Sequence, residues 1–118
     1  MSTRAHIRII EGKEEICLYH HHDGYPEGVG ATLVRELLPK LEHLKEVPYS
    51  WNATDLANHL IKLQNDEYEL TPCLHGDEEY VYVIDVCKHT IRCFSSGWDM
   101  RYEDIVVPER EVDLSKFI

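Results

Sequence analysis

Apolar and polar residues alternate in two short segments near the start of the chain, residues 5–9 and 16–20. Alternation with a period of two is typical of β-strands that bury one face. Gly12 and Lys13 lie between the two segments, and a glycine suits the turn position that needs a positive φ. The pattern therefore predicts a β-hairpin with a two-residue turn.

The register of this predicted hairpin gives it one apolar and one polar face. On the polar face, His6 lies beside Tyr19 and Arg4 lies beside His21. On the apolar face, each branched aliphatic residue of one strand faces one on the other strand. The residues predicted to be buried there are Ile7, Ile9, Ile16 and Leu18.

Two later segments carry apolar residues at helical spacing, one from residue 31 onwards and one after Asn52. Pro39 falls inside the first segment, and because proline removes a backbone hydrogen bond, we expect a kink or a break there. Asn52 has the side chain of an N-cap, and Asp55 lies near its N3 position. The two apolar stripes consist of Val34, Leu37, Leu38, Leu41 and Leu44, then Leu56, Leu60 and Leu63.

Strand-like patterns return in the second half of the chain, at residues 68–73, 80–86 and 90–94, and the last two are predicted to form a second hairpin. The pattern of the tail after Gly97 does not decide between a short edge strand and a short helix. The order β-β-α-α-β-β-β predicts an α+β fold, an antiparallel sheet with two helices packed on one face. Because no repeat or linker divides the sequence, we expect a single domain over residues 1–118.

Composition removes several classes of function. The formal net charge is −10, from 12 Lys and Arg against 22 Asp and Glu, so we expect no binding to duplex nucleic acid. No window approaches the ~20 apolar residues that span a bilayer, so we expect no membrane partner. The first residues lack the apolar centre of a secretion signal, which predicts a cytoplasmic protein whose four cysteines are reduced.

The segment from residue 20 to residue 30 is the richest in chemistry. His20 and His22 point to the same side of an extended chain, and with Asp23 they could bind a divalent metal such as zinc or manganese. A metal site needs three or four converging ligands, and the others would have to come from distant histidines. The alternative is that these histidines hydrogen-bond the following loop and orient it.

The start of the first helix is the second chemical feature of this segment. Gly28 and Gly30 precede Thr32, and backbone N–H groups at a helix N-terminus favour an anion that small residues allow to approach closely. Arg4, on the neighbouring strand, could add a guanidinium, and Tyr25 is predicted to be displayed on the loop or to plug the core. In the alternative interpretation, the two glycines only form a turn and an N-cap.

Ser-Thr-Arg at residues 2–4, followed by a hairpin and by His-Asp-Gly-Tyr-Pro-Glu-Gly-Val-Gly at residues 22–30, resembles a group of small uncharacterised proteins encoded by bacteriophages and prophages. Residues 76–85 are similar to a segment in some of them. The resemblance implies a phage or mobile-element setting and a functional corner at Arg4 and residues 22–30. It implies no mechanism, although small phage proteins often bind host defence proteins or their nucleotide signals.

We therefore expect a small binding protein without a cofactor, acting in the host cytoplasm if it is encoded by a phage. Its ligand is predicted to be an anionic small molecule such as a nucleotide, or a host defence protein with a basic surface; self-association stays open. The residues predicted to form the site are Arg4, His20, His22, Asp23, Tyr25, Glu27, Gly28, Gly30 and Thr32. The rival hypothesis is a metal-assisted hydrolase, in which His20, His22 and Asp23 hold the metal and Glu27 is the base.

Overall fold

One mixed β-sheet organises the part of the chain that the structure describes. The computed structural model describes residues 3–64, 67–72, 74, 76–96 and 101–117. The elements are, in chain order, β1 (Ala5–Glu11), β2 (Glu14–His20), α1 (Ala31–Glu46), α2 (Ala53–Leu63), β3 (Tyr68–Leu70), β4 (Tyr80–Asp85), β5 (Thr90–Ser95), α3 (Tyr102–Ile105) and β6 (Glu111–Val112). A π-helical turn, Pro26–Gly30, runs directly into α1, and 3-10 turns occupy Pro108–Arg110 and Leu114–Phe117.

The strand order is β3-β2-β1-β4-β5-β6, which confirms an α+β fold with a mostly antiparallel sheet. One pair departs from the antiparallel prediction, because β1 and β4 run parallel. These two strands are joined by a connection that contains both long helices, and a long connection of this kind can return the chain in its starting direction. The pairing of such distant strands leaves no local pattern in the sequence.

The first hairpin has the predicted register, in which Ile7 faces Leu18 and Ile9 faces Ile16. Gly12 has the expected positive φ, at 61°. Three of these four aliphatic side chains are fully buried, and Ile16 is partly buried. Helices α1 and α2 cover this face of the sheet, to which they contribute Leu33, Leu37, Leu41, Leu56 and Leu60.

The helices follow their local signals with one exception. Asn52 and Asp55 form the predicted capping box: the Asn52 side chain accepts a hydrogen bond from the Asp55 amide at 2.8 Å, and the Asp55 carboxylate accepts one from the Asn52 amide at 3.1 Å. We expected a kink or a break at Pro39, and the break is wrong, because α1 continues through this residue. Pro39 lies on the exposed side of the helix, where water can hydrogen-bond the carbonyl that proline leaves without a donor.

The opposite face of the sheet is covered only partly by the described residues. Val81, Val83 and Phe94 form a smaller apolar cluster there with Ile105 of α3. The tail contains both elements that its sequence allowed, the short helix α3 and the short edge strand β6. This second cluster lies over β4 and β5.

Two further observations concern the whole of the described chain. No helix within it is both long and apolar enough to cross a membrane. The three described cysteines, Cys17, Cys87 and Cys93, form no disulfide with one another, and Cys73 lies outside the described residues.

Candidate functional site

The loop between β2 and α1 is held against the sheet by two buried hydrogen bonds. The Gly24 amide donates to the Thr3 carbonyl at 2.8 Å, and the Tyr82 hydroxyl donates to the Gly24 carbonyl at 2.7 Å. A Cβ at Gly24 would lie 2.8 Å from the Ala5 Cβ, so only glycine allows this close approach. The conformation of the loop is therefore fixed by strands β1 and β4.

Helical structure begins at Pro26, five residues before α1, and this changes the predicted anion site. The Gly28 amide donates to the Tyr25 carbonyl at 2.9 Å, and the Val29 amide donates to the Asp23 carbonyl at 3.0 Å. The Ala31 amide also bonds to carbonyls of the π-helical turn. These amides already have acceptors inside the chain, so they offer little to an external anion.

The two glycines of the turn bring parts of the chain together. A Cβ at Gly28 would meet the Asp23 carbonyl, and a Cβ at Gly30 would lie 2.9 Å from the Leu114 side chain and 3.3 Å from the Tyr82 ring. Gly30 is itself buried. The two glycines were predicted either to let a ligand approach or to form a turn and an N-cap, and their close contacts favour the second, structural role.

A cavity of about 460 Å³, termed here the corner cavity, lies between this loop, the start of α1 and the end of α2. Its size is within the range of small-ligand sites. Six of the predicted site residues line it: His20, His22, Asp23, Glu27, Gly28 and Thr32. Arg35, Gln64 and Glu67 were not predicted as site residues, although Arg35 follows Thr32 by three residues and such spacing places two side chains on one helix face.

His20 lies at the buried end of the corner cavity and is only 4% exposed. Neither of its ring nitrogens makes a well-aligned hydrogen bond with a described residue, although the His22 backbone and the Gln64 side chain lie near enough to act on the ring, and Glu67 Oε2 lies 3.9 Å from Nε2. The ring packs edge-on against Tyr68, with 4.6 Å between centroids. Burial lowers the pKa of His20, whereas the backbone of His22, the Glu67 carboxylate and Gln64 act in the opposite direction. A neutral imidazole with unused hydrogen-bonding capacity therefore lies at this end of the cavity.

The ionisable groups of the corner cavity are mainly acidic. Among the described lining residues, Asp23, Glu27 and Glu67 supply three carboxylates and Arg35 one guanidinium, a formal charge of −2 with histidine neutral. The Arg35 guanidinium lies 3.2 Å from Glu36, so part of its charge is already compensated. The cavity therefore favours a cationic guest over an anionic one.

The structure does not bring the remaining predicted residues into the cavity lining. Arg4 lies beside His21, as the register predicted, and its Nε donates to His21 Nδ1 at 3.3 Å. A second guanidinium nitrogen of Arg4 lies 3.4 Å from Asp77. Tyr25 is exposed and its hydroxyl donates to Asp23 at 3.2 Å. Arg4 thus belongs to a different set of contacts from those of the corner cavity.

The metal hypothesis needs side chains that converge on one point. Within the described part of the chain, no three His, Cys, Asp or Glu side chains are grouped so that they could hold a metal ion. His20, His22 and Asp23 line one cavity but do not form such a group. The geometry gives the hydrolase hypothesis no preformed ligand set.

No model of a known protein family, no curated protein and no solved structure matches this chain. Function is therefore inferred from the chemistry of its own residues. The corner cavity provides carboxylates, one buried neutral imidazole and a rigid loop, which together suit hydrogen-bond donors and positive charge.

Proposed function

We propose that this chain is a binding protein and that its corner cavity receives a cationic side chain, lysine or arginine, of a partner protein. The observation that carries the proposal is a cavity whose described lining has three carboxylates and one buried imidazole, His20, whose ring nitrogens lack a well-aligned hydrogen bond. A buried polar group without a partner is uncommon in native proteins, so a ligand that supplies the missing hydrogen bond is favoured.

Charge supports a basic partner. The cavity lining carries a formal charge of −2, and the whole chain carries −10. An acidic surface raises the rate at which a basic partner is encountered, and carboxylates form strong charge-assisted hydrogen bonds with a guanidinium. Neutral His20 can accept one further hydrogen bond from the same group.

The resemblance to phage and prophage proteins supports a host protein as this partner. In that setting, the chain would act in the host cytoplasm by occupying a basic surface of a defence protein. The alternative of a metal-assisted hydrolase has less support, because His20, His22 and Asp23 lack the convergence that a metal requires. A binding protein without catalytic activity needs no metal ligands, only the carboxylates and the imidazole of the corner cavity.

A titration followed by NMR tests the proposal with two simple probes, N-acetyl-arginine amide as the cation and inorganic phosphate as the anion. We expect the arginine amide to shift the resonances of the His20 ring and of Gly28, and phosphate to leave them unchanged. Saturable shifts with phosphate and none with the arginine amide would overturn the proposal in favour of an anion site.

Matched variants assign any binding to the cavity. Glu67→Gln removes one lining carboxylate and should weaken arginine amide binding by roughly two- to fivefold, the range for a partly exposed ion pair. Glu103→Gln makes the same change of net charge on α3, outside the cavity lining, and should have no effect. Equal weakening by both variants would mean that the probe responds only to overall charge.

A further inference from the structure

The face of the sheet opposite α1 and α2 has a second cavity of about 460 Å³, termed here the arginine cavity. Strands β1 and β2 contribute His6, Arg8 and Cys17 to its lining. Arg8 and Cys17 are directly paired across the two strands. Because alternate residues of a strand point to opposite faces, these side chains lie on the other side of the sheet from His20.

The charge of the arginine cavity is opposite to that of the corner cavity. Among the described lining residues, Arg8 and Arg101 supply two guanidinium groups and Glu15 one carboxylate, a formal charge of +1 that does not include Asp104, the ion-pair partner of Arg101. Arg8 donates to Glu15 at 2.7 Å and its guanidinium lies 3.6 Å from the centre of the Tyr102 ring. Arg101 lies 3.3 Å from Asp104, and its side chain is 80% exposed, so this ion pair is a weak one with which a guest carboxylate can compete.

The rest of the lining is largely apolar. Pro72, Leu74 and the Tyr102 ring form the walls. His6, whose side chain is 2% exposed, is part of the same lining, and its Nδ1 makes no hydrogen bond with a described residue, with Glu78 Oε2 at 3.5 Å. Apolar walls with a few fixed polar groups are the usual composition of a small-molecule site.

We infer that the arginine cavity binds a small organic anion whose carboxylate meets the guanidinium groups and whose apolar body packs on the walls. The inference is independent of the proposed function, because it concerns the other face of the sheet and a guest of opposite charge. An anionic ligand was also expected from the sequence, but at the loop and the start of α1. The arginine cavity would bind such a ligand on the opposite face of the sheet.

Cys17 provides a reporter inside the cavity. Its thiolate attacks a disulfide reagent, a mixed disulfide forms, one thiolate of the reagent leaves, and the thiol proton goes to solvent. We would compare dithiobis(nitrobenzoate), an aromatic disulfide with two carboxylates, with dithiodipyridine, a neutral one. Peptide mass spectrometry reads each cysteine separately, and exposed Cys87 serves as the internal control.

At each cysteine we would divide the rate of reaction with the anionic reagent by the rate with the neutral reagent. We expect this ratio to be roughly two- to fivefold higher at Cys17 than at Cys87. Arg8→Gln should remove this excess, which is a ratio and so is corrected for any change in the general reactivity of Cys17. Arg101→Gln should lower it as well, and because Arg101 is highly exposed this variant keeps the test valid if Arg8→Gln fails to fold. Unreactive benzoate should slow the anionic reaction at Cys17 and not at Cys87.

The control variant is Arg35→Gln, which makes the same change of net charge in the corner cavity. It should leave the rate ratio at Cys17 unchanged. Equal ratios at Cys17 and Cys87 in the unmodified protein would overturn the inference. An effect of Arg35→Gln as large as that of Arg8→Gln would overturn it too, because the reagent would then respond to overall charge alone.

Discussion

Tyr82 joins the functional loop to the sheet. Its side chain is fully buried in β4, and its hydroxyl donates to the carbonyl of Gly24 in the loop. Burial raises the pKa of Tyr82 far above the ordinary range, so the hydroxyl keeps its proton and remains a donor. The sequence gives no local sign of this contact, because the two residues are 58 positions apart.

Replacement of Tyr82 by Phe should lower the free energy of unfolding by about 1–3 kcal/mol, because it leaves the buried Gly24 carbonyl without its donor. Urea denaturation measures the change. Tyr25→Phe is the control, since the Tyr25 hydroxyl bonds Asp23 at the exposed surface, and it should change stability little. Equal losses in the two variants would show that burial of the hydrogen bond is unimportant.

His20 should make stability depend on pH. Its pKa is lowered in the folded protein and is about 6.5 in the unfolded chain, so below that pH the unfolded chain binds a proton that the folded protein does not. The free energy of unfolding should therefore fall as the pH decreases from about 6.5 toward the folded pKa. Urea denaturation at a series of pH values should show this slope.

His20→Leu should flatten the slope, because an apolar side chain at this position has no proton to gain. His43→Asn is the control, since His43 is exposed on α1 and its loss should leave the slope intact. If His20→Leu keeps the slope of the unmodified protein, another group causes the pH dependence.

The positions of individual site residues could be predicted only in part. The loop residues His22, Asp23 and Glu27 do line one cavity, because they are close in sequence. Arg4 was assigned to the same corner, yet strand alternation already argued against this: Arg4 pairs with His21, which points away from the face of His20. Glu67 comes from a distant segment, and its approach depends on tertiary packing.

At the scale of elements, local signals identified the hairpin and the capping box of α2. The start of α1 was less predictable. The π-helical turn at Pro26–Gly30 is favoured by close contacts of Gly30 with Leu114 and Tyr82, which no window of the sequence encodes. Tertiary packing also explains why α1 continues through Pro39. The packing of its leucine face outweighs the one hydrogen bond that proline removes.

Pro39 should nevertheless cost stability. In a helix interior proline is about 3 kcal/mol less favourable than alanine, so Pro39→Ala should raise the free energy of unfolding by roughly 1–3 kcal/mol. Glu42→Ala, at an exposed position of the same helix, is the control and should change it by a few tenths. Urea denaturation compares the two variants. A destabilised Pro39→Ala variant would mean that the fold depends on the local geometry proline imposes.

At the scale of the whole molecule, the parallel pairing of β1 with β4 decides where the chemistry lies. This pairing connects residues 5–10 with residues 80–85 and places β1 inside the sheet. The side chains of β1 and β2 consequently divide between a helix-covered face and an opposite face. The acidic corner cavity and the arginine cavity thus lie on different sides of one sheet, each with its own charge.

The pairing of basic with acidic side chains also affects whether the protein can bind nucleic acid. Five guanidinium groups of the described chain already lie within ion-pair distance of carboxylates: those of Arg4, Arg8, Arg35, Arg92 and Arg101. A phosphodiester backbone would have to displace these carboxylates. The affinity of a protein for DNA depends strongly on the number of phosphates that its basic side chains neutralise.

We therefore expect no binding of a short DNA duplex, even at low salt, where electrostatic attraction is greatest. The fluorescence anisotropy of a labelled duplex should stay constant as the protein is added. A labelled lysine-rich peptide in the same assay should bind and be released by salt, because a net charge of −10 attracts it and counterions screen the attraction. Salt-sensitive binding of the duplex would contradict the expectation and would show that the guanidinium groups exchange their carboxylate partners for phosphate.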